Sequence, residues 1–262
     1  MRRALLLFFL IFPMLLFAQD YSYARKSIVF SDTLKKASTV KSIGKALEQP
    51  AAVVSLKISD SSSFVKFTEN VSRFVNLRKI SIENFYDKKL QLPAAFWNLQ
   101  KLEYVSLDNL QIEGFQNLDR LKNLKYLSLM GSRLTSIPEE IYSLGSLEYL
   151  DFTLNFLDSI PPRIKELKKL RELDLTNNCF TRIPVAVTQL SQLEYLDFDN
   201  PETAETFSDG TAFCFNRLLA VPDLSNMSAL KKINLYKLII PDEKVKAQIR
   251  AANDERFKSL PR

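Results

Sequence analysis

The chain has 262 residues, a formal net charge of +6, two cysteines and no histidine. Without histidine, His-based acid–base catalysis and an ordinary His/Cys zinc site are excluded. The five glycines form neither a dinucleotide-binding nor a P-loop spacing. The positive residues are scattered, whereas nucleic-acid binding needs a clustered basic patch. We therefore expect a non-catalytic chain that uses no cofactor or metal and binds no nucleic acid.

Residues 1–18 are predicted to form a secretory signal peptide. Met1-Arg2-Arg3 precedes an apolar run from Ala4 to Ala18, which is the usual order of a basic start, an apolar stretch and a small final residue. The run is short for a membrane span, which needs roughly 20 residues. An uncleaved anchor is the alternative, and it is the only membrane attachment that we expect. The predicted location is secreted, periplasmic or on the cell surface.

Residues 19–52 are predicted to be an N-terminal flank that ends in a capping helix. The stretch "SIGKALEQP", residues 42–50, has helix-forming residues after Ser42, a residue type that favours the N-cap position. At the other end of the chain, residues 242–262 are predicted to form a C-terminal cap helix. Two caps are expected because residues 53–241 between them are repetitive, and a stack of repeats exposes its core at both ends.

The repetition is visible in five related hexapeptides that begin 22 or 23 residues apart. They are "LEYVSL" at 102–107, "LKYLSL" at 124–129, "LEYLDF" at 147–152, "LRELDL" at 170–175 and "LEYLDF" at 193–198. Weaker copies begin at Val53, Leu77 and Leu230, so eight strand segments are predicted. In each copy the later apolar residues alternate around an outward-facing position, as in a short strand with one buried face. The apolar residues that follow are spaced as in one helical turn or a looser coil.

Several units follow the pattern L-x-x-L-x-L-x-x-N-x-L-x-x-I-P, which resembles the leucine-rich-repeat family in its 23-residue, Ile-Pro variety. The resemblance implies an α/β fold: a right-handed, horseshoe-shaped solenoid with a concave parallel sheet of about eight strands and short helical or irregular convex segments. Asn155, Asn178 and Asn216 occupy the Asn position of the pattern. The Asn position is only partly kept: Ser132, Phe85, Leu110 and Leu238 replace it in other units. A side-chain amide at this position can satisfy backbone groups of adjoining coils.

One unit contains an insertion at about 199–214. From Phe152 to Asn155 is three residues, but from Phe198 to Asn216 is eighteen. Long loops cost little entropy, so the insertion is either a tolerated loop or part of a functional site. Cys179 and Cys214 lie in successive units. Exported proteins often form disulfides, but a bridge requires Cα atoms within about 7 Å, a distance that the sequence does not fix. We expect two free cysteines.

The positions between the buried strand leucines are predicted to face outward on the concave sheet. They form a tyrosine-rich column beside an acidic one, and tyrosines provide the rigid contact area that binding surfaces favour. The same residues could instead be scaffold. The predicted partner-binding residues are Tyr104, Tyr126, Tyr149, Tyr195, Asp151, Asp174, Asp197, Asp199 and Phe207.

The predicted function is non-catalytic recognition of a protein or peptide partner by a monomer. The tyrosine column is also compatible with a carbohydrate-binding or cell-surface adhesion protein, and a purely structural envelope protein is the third possibility. A calcium site is not expected, because the acidic residues are spread along a column rather than converging on one point.

Overall fold

The computed structural model describes residues 30–83, 85, 89–112, 114–200, 211–219, 221–224 and 226–235. Its main feature is a nine-stranded parallel sheet with the order β1-β2-β3-β5-β7-β8-β9-β10-β11. The strands of this sheet are β1 (Thr39–Val40), β2 (Ser55–Ile58), β3 (Lys79–Glu83), β5 (Tyr104–Asp108), β7 (Tyr126–Ser128), β8 (Tyr149–Asp151), β9 (Glu172–Asp174), β10 (Tyr195–Asp197) and β11 (Lys232–Asn234). A second, two-stranded parallel sheet pairs β4 (Lys89–Leu90) with β6 (Gln111–Ile112).

The eight predicted strands are all present, and β1 is an additional strand at the N-terminal edge. The register is also as predicted: Tyr126 pairs with Tyr149, and Tyr149 with Glu172. Between the outward positions, Leu150 and Leu173 point into the core and are completely buried. Because a strand alternates its side chains between two faces, this register places the leucines of all units in one continuous apolar core.

The connections on the far side of the core are mostly short helices. The α-helices are α1 (Asp32–Lys36), α2 (Ile43–Glu48) and α3 (Ser61–Asn70). The 3-10 helices are Pro50–Ala52, Val71–Arg73, Ala94–Asn98, Leu118–Arg120, Glu139–Ser143, Pro162–Glu166 and Val185–Gln189. Ser42 caps α2 by accepting a hydrogen bond from the backbone N–H of Lys45, so the predicted short helix is present.

The Ile-Pro pairs of the repeat determine where three of the 3-10 helices begin. Pro138, Pro161 and Pro184 each occupy the N-cap position of the helix that follows. Proline fixes φ near −65° and lacks the N–H that the first turn of a helix leaves unpaired, so it starts a turn without losing a hydrogen bond. The helix after Pro161 then buries Ile164 completely. The structure thus resolves the predicted helical turn or looser coil as a 3-10 helix.

Adjacent coils are joined by buried asparagine side chains. The amide nitrogen of Asn178 donates to the carbonyl oxygens of Phe152 (2.9 Å) and Leu175 (3.1 Å), and its amide oxygen accepts from the N–H of Leu157 at 3.0 Å. Asn155 and Asn216 make the equivalent three bonds in their own units. These bonds satisfy backbone groups that the strands leave unpaired in the interior, where an unmade hydrogen bond is costly.

The expectation of two free cysteines is wrong: Cys179 and Cys214 form a disulfide, with their Cα atoms 5.0 Å apart. The asparagine positions explain the proximity. Asn178 and Asn216 lie in adjacent coils, and Cys179 and Cys214 lie one and two residues from them. The two cysteines therefore come within bridging distance despite a sequence separation of 35. Asn200 reinforces this junction, because its side-chain amide donates to the Asn216 carbonyl oxygen at 2.9 Å and accepts from the Asn216 N–H at 3.0 Å.

Several predictions concern residues outside the described ranges. These are the signal peptide at 1–18, most of the insertion with Phe207, and the C-terminal cap helix at 242–262. In the part of the chain that the structure describes, no helix is both long enough and apolar enough to cross a membrane.

Candidate protein-interaction surface

The outer sheet face is the side of the nine-stranded sheet that points away from the leucine core, and two columns of side chains run across it. The tyrosine column contains Ser55, Lys79, Tyr104, Tyr126, Tyr149, Glu172, Tyr195 and Lys232. The carboxylate column contains Lys57, Ser81, Ser106, Ser128, Asp151, Asp174, Asp197 and Asn234. The register therefore brings together the tyrosines and aspartates that the sequence places in separate repeats.

The tyrosine column is a stack of rings. The Tyr104 and Tyr126 rings are nearly parallel, with their centroids 4.0 Å apart. The centroids of the Tyr126 and Tyr149 rings are 4.3 Å apart. The Lys79 ammonium lies 4.2 Å above the Tyr104 ring centroid and continues the stack as a cation–π contact. Strands spaced about 4.8 Å apart bring identical side chains into this arrangement. Tyr195 lies beyond Glu172 and is separated from the stack by that residue.

Stacking buries two of the tyrosines, although they lie on the outer face as predicted. Tyr126 and Tyr149 are only 2% and 1% exposed, whereas Tyr104 and Tyr195 are half-buried. Phe30 and Tyr104 pack against the two buried rings. The sequence placed the rings on the right face but did not indicate that they would cover one another. Tyr126 and Tyr149 are thus part of the packed structure. Tyr104 and Tyr195 are more accessible to a partner than these two rings.

The carboxylate column follows a repeated turn. Asp151, Asp174 and Asp197 each accept a hydrogen bond from the backbone N–H two residues later, at 2.8, 3.0 and 2.9 Å. Aspartate commonly closes a turn in this way. Asp151 is 4% exposed and Asp199 is 2% exposed, so these two carboxylates are almost completely covered. Asp174 and Asp197 are half-buried and keep accessible surface.

The half-buried carboxyls are electrostatically strained. Desolvation, followed by the charges of Asp197 and Asp151, raises the pKa of Asp174 well above the ordinary aspartate value. Desolvation also raises the pKa of Asp197, although hydrogen bonds from the Asp199 backbone and from the Asn234 and Thr176 side chains oppose this. Burial and like charge both disfavour the ionised form. A positive group placed against Asp174 would relieve both effects.

The substitution Asp174→Asn is therefore expected to raise the free energy of unfolding at pH 7. Because the folded pKa of Asp174 lies above its ordinary value of 3.8, the folded state binds more protons than the unfolded state between those two values. The associated stability is present at low pH and is lost as the pH rises through the folded pKa. Urea denaturation across this pH range should show that loss in the wild type and a smaller one in the variant.

Glu103 and Glu194 provide an internal reference for that experiment. Burial acts to raise the pKa of each, but hydrogen bonds and nearby positive charges lower it overall. Their stabilisation is present above the ordinary value of 4.5 and is lost only below it. The two contributions thus change in opposite directions as the pH rises. Identical pH profiles for the wild type and Asp174→Asn would contradict the assigned strain.

A ladder of alternating charge borders the outer sheet face at the N-terminal ends of the strands. Its members are Arg78, Glu103, Lys125, Glu148, Arg171, Glu194 and Lys231. Neighbouring members form ion pairs such as Arg78–Glu103 at 2.8 Å and Arg171–Glu194 at 2.6 Å. The sequence interpretation missed this ladder, although its signal is present: every member follows the first leucine of a strand unit. Glu103 also accepts a hydrogen bond from the Ser31 N–H at 2.7 Å, which ties the N-terminal segment to the sheet.

A metal role finds no support in this surface. Among the described residues, no group of three or more Asp, Glu, Cys or His side chains converges closely enough to hold a metal ion. The chemistry available on the outer sheet face is thus hydrogen bonding, charge pairing and aromatic contact, which are the interactions of a binding surface.

A stacked parallel sheet with a buried asparagine ladder defines a leucine-rich-repeat solenoid, a fold suited to protein interaction. The chain belongs to the leucine-rich-repeat family: residues 109–251 match the family model described as a leucine-rich repeat region. No curated protein matches the chain.

Solved leucine-rich-repeat structures resemble the chain. A leucine-rich-repeat protein of Leptospira interrogans is 26% identical, with a TM-score of 0.56 over 76% of this chain and 58% of the Leptospira chain. An internalin of Listeria monocytogenes is 16% identical, with a TM-score of 0.48 over 70% of this chain and 54% of its own. Internalin C2 of the same species is 19% identical, with a TM-score of 0.46 over 63% and 74% of the two chains. This chain therefore spans little more than half the length of the Leptospira protein.

Proposed function

We propose that this protein is an exported, non-catalytic module that binds a protein partner through the outer sheet face. Export is proposed because residues 1–18 have the pattern of a signal peptide. The proposed location is therefore secreted, periplasmic or on the cell surface. Recognition rests on the carboxylate column, with Asp174 and Asp197 as the charged contacts and Tyr195 as an aromatic contact beside them.

The observation that carries this proposal is the row of aspartates at Asp151, Asp174 and Asp197, which the register places side by side on three adjacent strands. Closing the turn requires only a side-chain oxygen that accepts from the Thr176 N–H, and an asparagine would provide one without a charge. The aspartate instead adds a charge whose desolvation and repulsion destabilise the folded state. A cost of this kind at a surface site is expected where the charge serves binding. The matching partner group is a lysine or arginine side chain, which pairs strongly with a partly buried carboxylate.

The stacking of the tyrosines bears on the carbohydrate alternative. A sugar ring would be expected to stack on an aromatic face, but Tyr126 has Tyr104 on one face and Tyr149 on the other. Lys79 lies over the Tyr104 ring as well. The rings therefore offer edges and hydroxyl groups rather than open faces, and we favour a protein partner over a carbohydrate.

The test is capture of a partner by the full chain, using chemical crosslinking in the native envelope fraction or medium. Asp174→Asn combined with Asp197→Asn should abolish capture of the partner that the wild type retains, and thermal unfolding should show that the variant is folded. Asp119→Asn is the matched control, because it removes a carboxylate from the 3-10 helix Leu118–Arg120 on the opposite side of the core. Undiminished capture by the double variant would overturn the proposal.

A further inference from the structure

A cavity of about 360 Å³ lies at the other end of the outer sheet face, between the sheet and the N-terminal segment. Its floor consists of four consecutive members of the tyrosine column: Ser55, Lys79, Tyr104 and Tyr126. Its wall consists of Phe30, Leu34, Lys35, Ala37 and Thr39. The volume is at the lower end of the range of about 300–1,000 Å³ that is usual for ligand pockets.

The wall is fixed to the sheet by specific contacts. The Ser31 N–H donates to Glu103, and the Phe30 ring centroid lies 6.2 Å from that of Tyr104. The hydroxyl groups of Thr39 and Ser55 are hydrogen-bonded to each other at 2.9 Å across the floor and wall. Leu34 is buried although it lies in a helix of only five residues. These contacts hold the wall in place, so the cavity is part of the folded structure.

The lining of the cavity combines two kinds of chemistry. Phe30, Tyr104 and Leu34 supply aromatic and apolar surface, while Lys35 and Lys79 supply two ammonium groups. The Lys35 ammonium also lies 3.5 Å from the exposed Asp32 carboxylate, so Lys79 is the main positive group of the lining. No carboxylate is among the residues that line it. This lining complements a group that carries a negative charge beside an aromatic ring, because the ring would pack on the apolar residues and the charge would pair with ammonium.

From this complementarity we propose that the cavity binds an acidic residue and a neighbouring aromatic residue of a partner peptide segment. This inference rests on the proposed function, since it identifies the partner chemistry for a second part of the same face. It gives the outer sheet face two poles: a lysine-lined cavity at β2, β3 and β5, and the carboxylates Asp174 and Asp197 on β9 and β10.

The two poles are close enough for one segment to reach both. From β5 to β9 there are three strand spacings, or about 14 Å at ~4.8 Å per spacing. An extended chain rises about 3.3 Å per residue, so roughly four to five residues cover that distance. The partner segment that fits the face therefore has an acidic–aromatic pair at one end and a lysine or arginine four to five residues away.

The test uses small probes and the full chain labelled with 15N. The probe N-acetyl-Asp-Phe-amide should cause saturable shifts of the Ser55, Lys79 and Tyr104 amide signals. N-acetyl-Asn-Phe-amide, which lacks the charge, should bind about tenfold more weakly or worse, as expected for loss of a charge-assisted contact. N-acetyl-Asp-Ala-amide, which lacks the ring, should also bind more weakly. Equal binding of all three probes, or shifts that map elsewhere, would overturn the inference.

Two variants distinguish binding at a defined site from a general electrostatic attraction of the probe to the protein surface. Lys35→Gln combined with Lys79→Gln should weaken binding of N-acetyl-Asp-Phe-amide about tenfold or more. Lys57→Gln is the matched control, because Lys57 lies on the same face but belongs to the carboxylate column, where it pairs with Glu83 outside the cavity. Equal losses in the control and the double variant would show an attraction spread over the surface and would overturn the inference.

The cavity proposal and the proposed function can be refuted separately. If no probe binds while Asp174→Asn with Asp197→Asn still abolishes partner capture, the cavity is not a site and the binding function stands. If the probes bind as expected but partner capture is unaffected by those aspartate substitutions, the cavity stands without the carboxylate pole.

Discussion

The substitution Asn178→Ala is expected to lower the free energy of unfolding by about 3 kcal/mol, because it removes three buried hydrogen bonds and leaves one buried N–H without a partner. The carbonyls of Phe152 and Leu175 each lose one of two donors and keep the other, from Asn155 and Asn216. The Leu157 N–H loses its acceptor and is the group left unpaired. Asn178 is completely buried, so water cannot replace these bonds without opening the coil. Urea denaturation monitored by circular dichroism measures the loss directly.

Asn123→Ala is the matched control for this prediction. Asn123 also donates from its side chain to a backbone carbonyl of the preceding unit, that of Gln100 at 2.8 Å, but it lies at the exposed surface. Water can take over that bond, and the expected loss is within about 0.5 kcal/mol. If the two substitutions had similar effects, the asparagine ladder would not be the element that joins the coils.

The second large effect is expected from the disulfide. Replacing both Cys179 and Cys214 with alanine should lower the free energy of unfolding by about 4 kcal/mol, the value of the chain-entropy model for a closed loop of this length. The bond restricts the unfolded chain across the insertion, and in the folded state it holds the return of the insertion next to the asparagine ladder. Chemical denaturation of the oxidised wild type and of the double variant gives the difference.

Reduction provides an independent measurement of the same quantity. Dithiothreitol should destabilise the wild type by a similar amount and leave the alanine variant unchanged. The Asn200–Asn216 hydrogen bonds remain in both and should keep the two ends of the insertion together. A wild type that is insensitive to reductant, or an alanine variant as stable as the oxidised wild type, would show that the bond contributes no stability.

Much of the fold could be predicted from spacing because each repeat unit is defined by local apolar positions. Leu150 and Leu173 occupy equivalent places in units 23 residues apart, and the strands that contain them pair in the register that this spacing implies. Asn216 occupies the Asn position of its unit as predicted, although an insertion of about fifteen residues precedes it. Its side chain donates to the same kind of strand carbonyls as in the other units, whatever the length of the loop before it. The outward positions followed from the alternation of side chains along a strand.

The candidate site was less predictable because it depends on contacts between units. The columns themselves were predicted correctly, but the sequence did not indicate that stacking would bury Tyr126 and Tyr149. A single unit contains no information on how closely its tyrosine approaches the next. The binding role of these residues, and that of Phe207, which lies outside the described residues, stays a prediction.

The sequence by itself determined the repeat, its strand register, its asparagine ladder and the place of the insertion, because all of these follow from residues at fixed offsets within one unit. Only the tertiary structure decided the features that depend on distance between remote residues. It brought Cys179 within bonding distance of Cys214, and it set Phe30 and Leu34 against the sheet to enclose a cavity. These distances depend on how whole coils stack, and no local pattern in the chain encodes them.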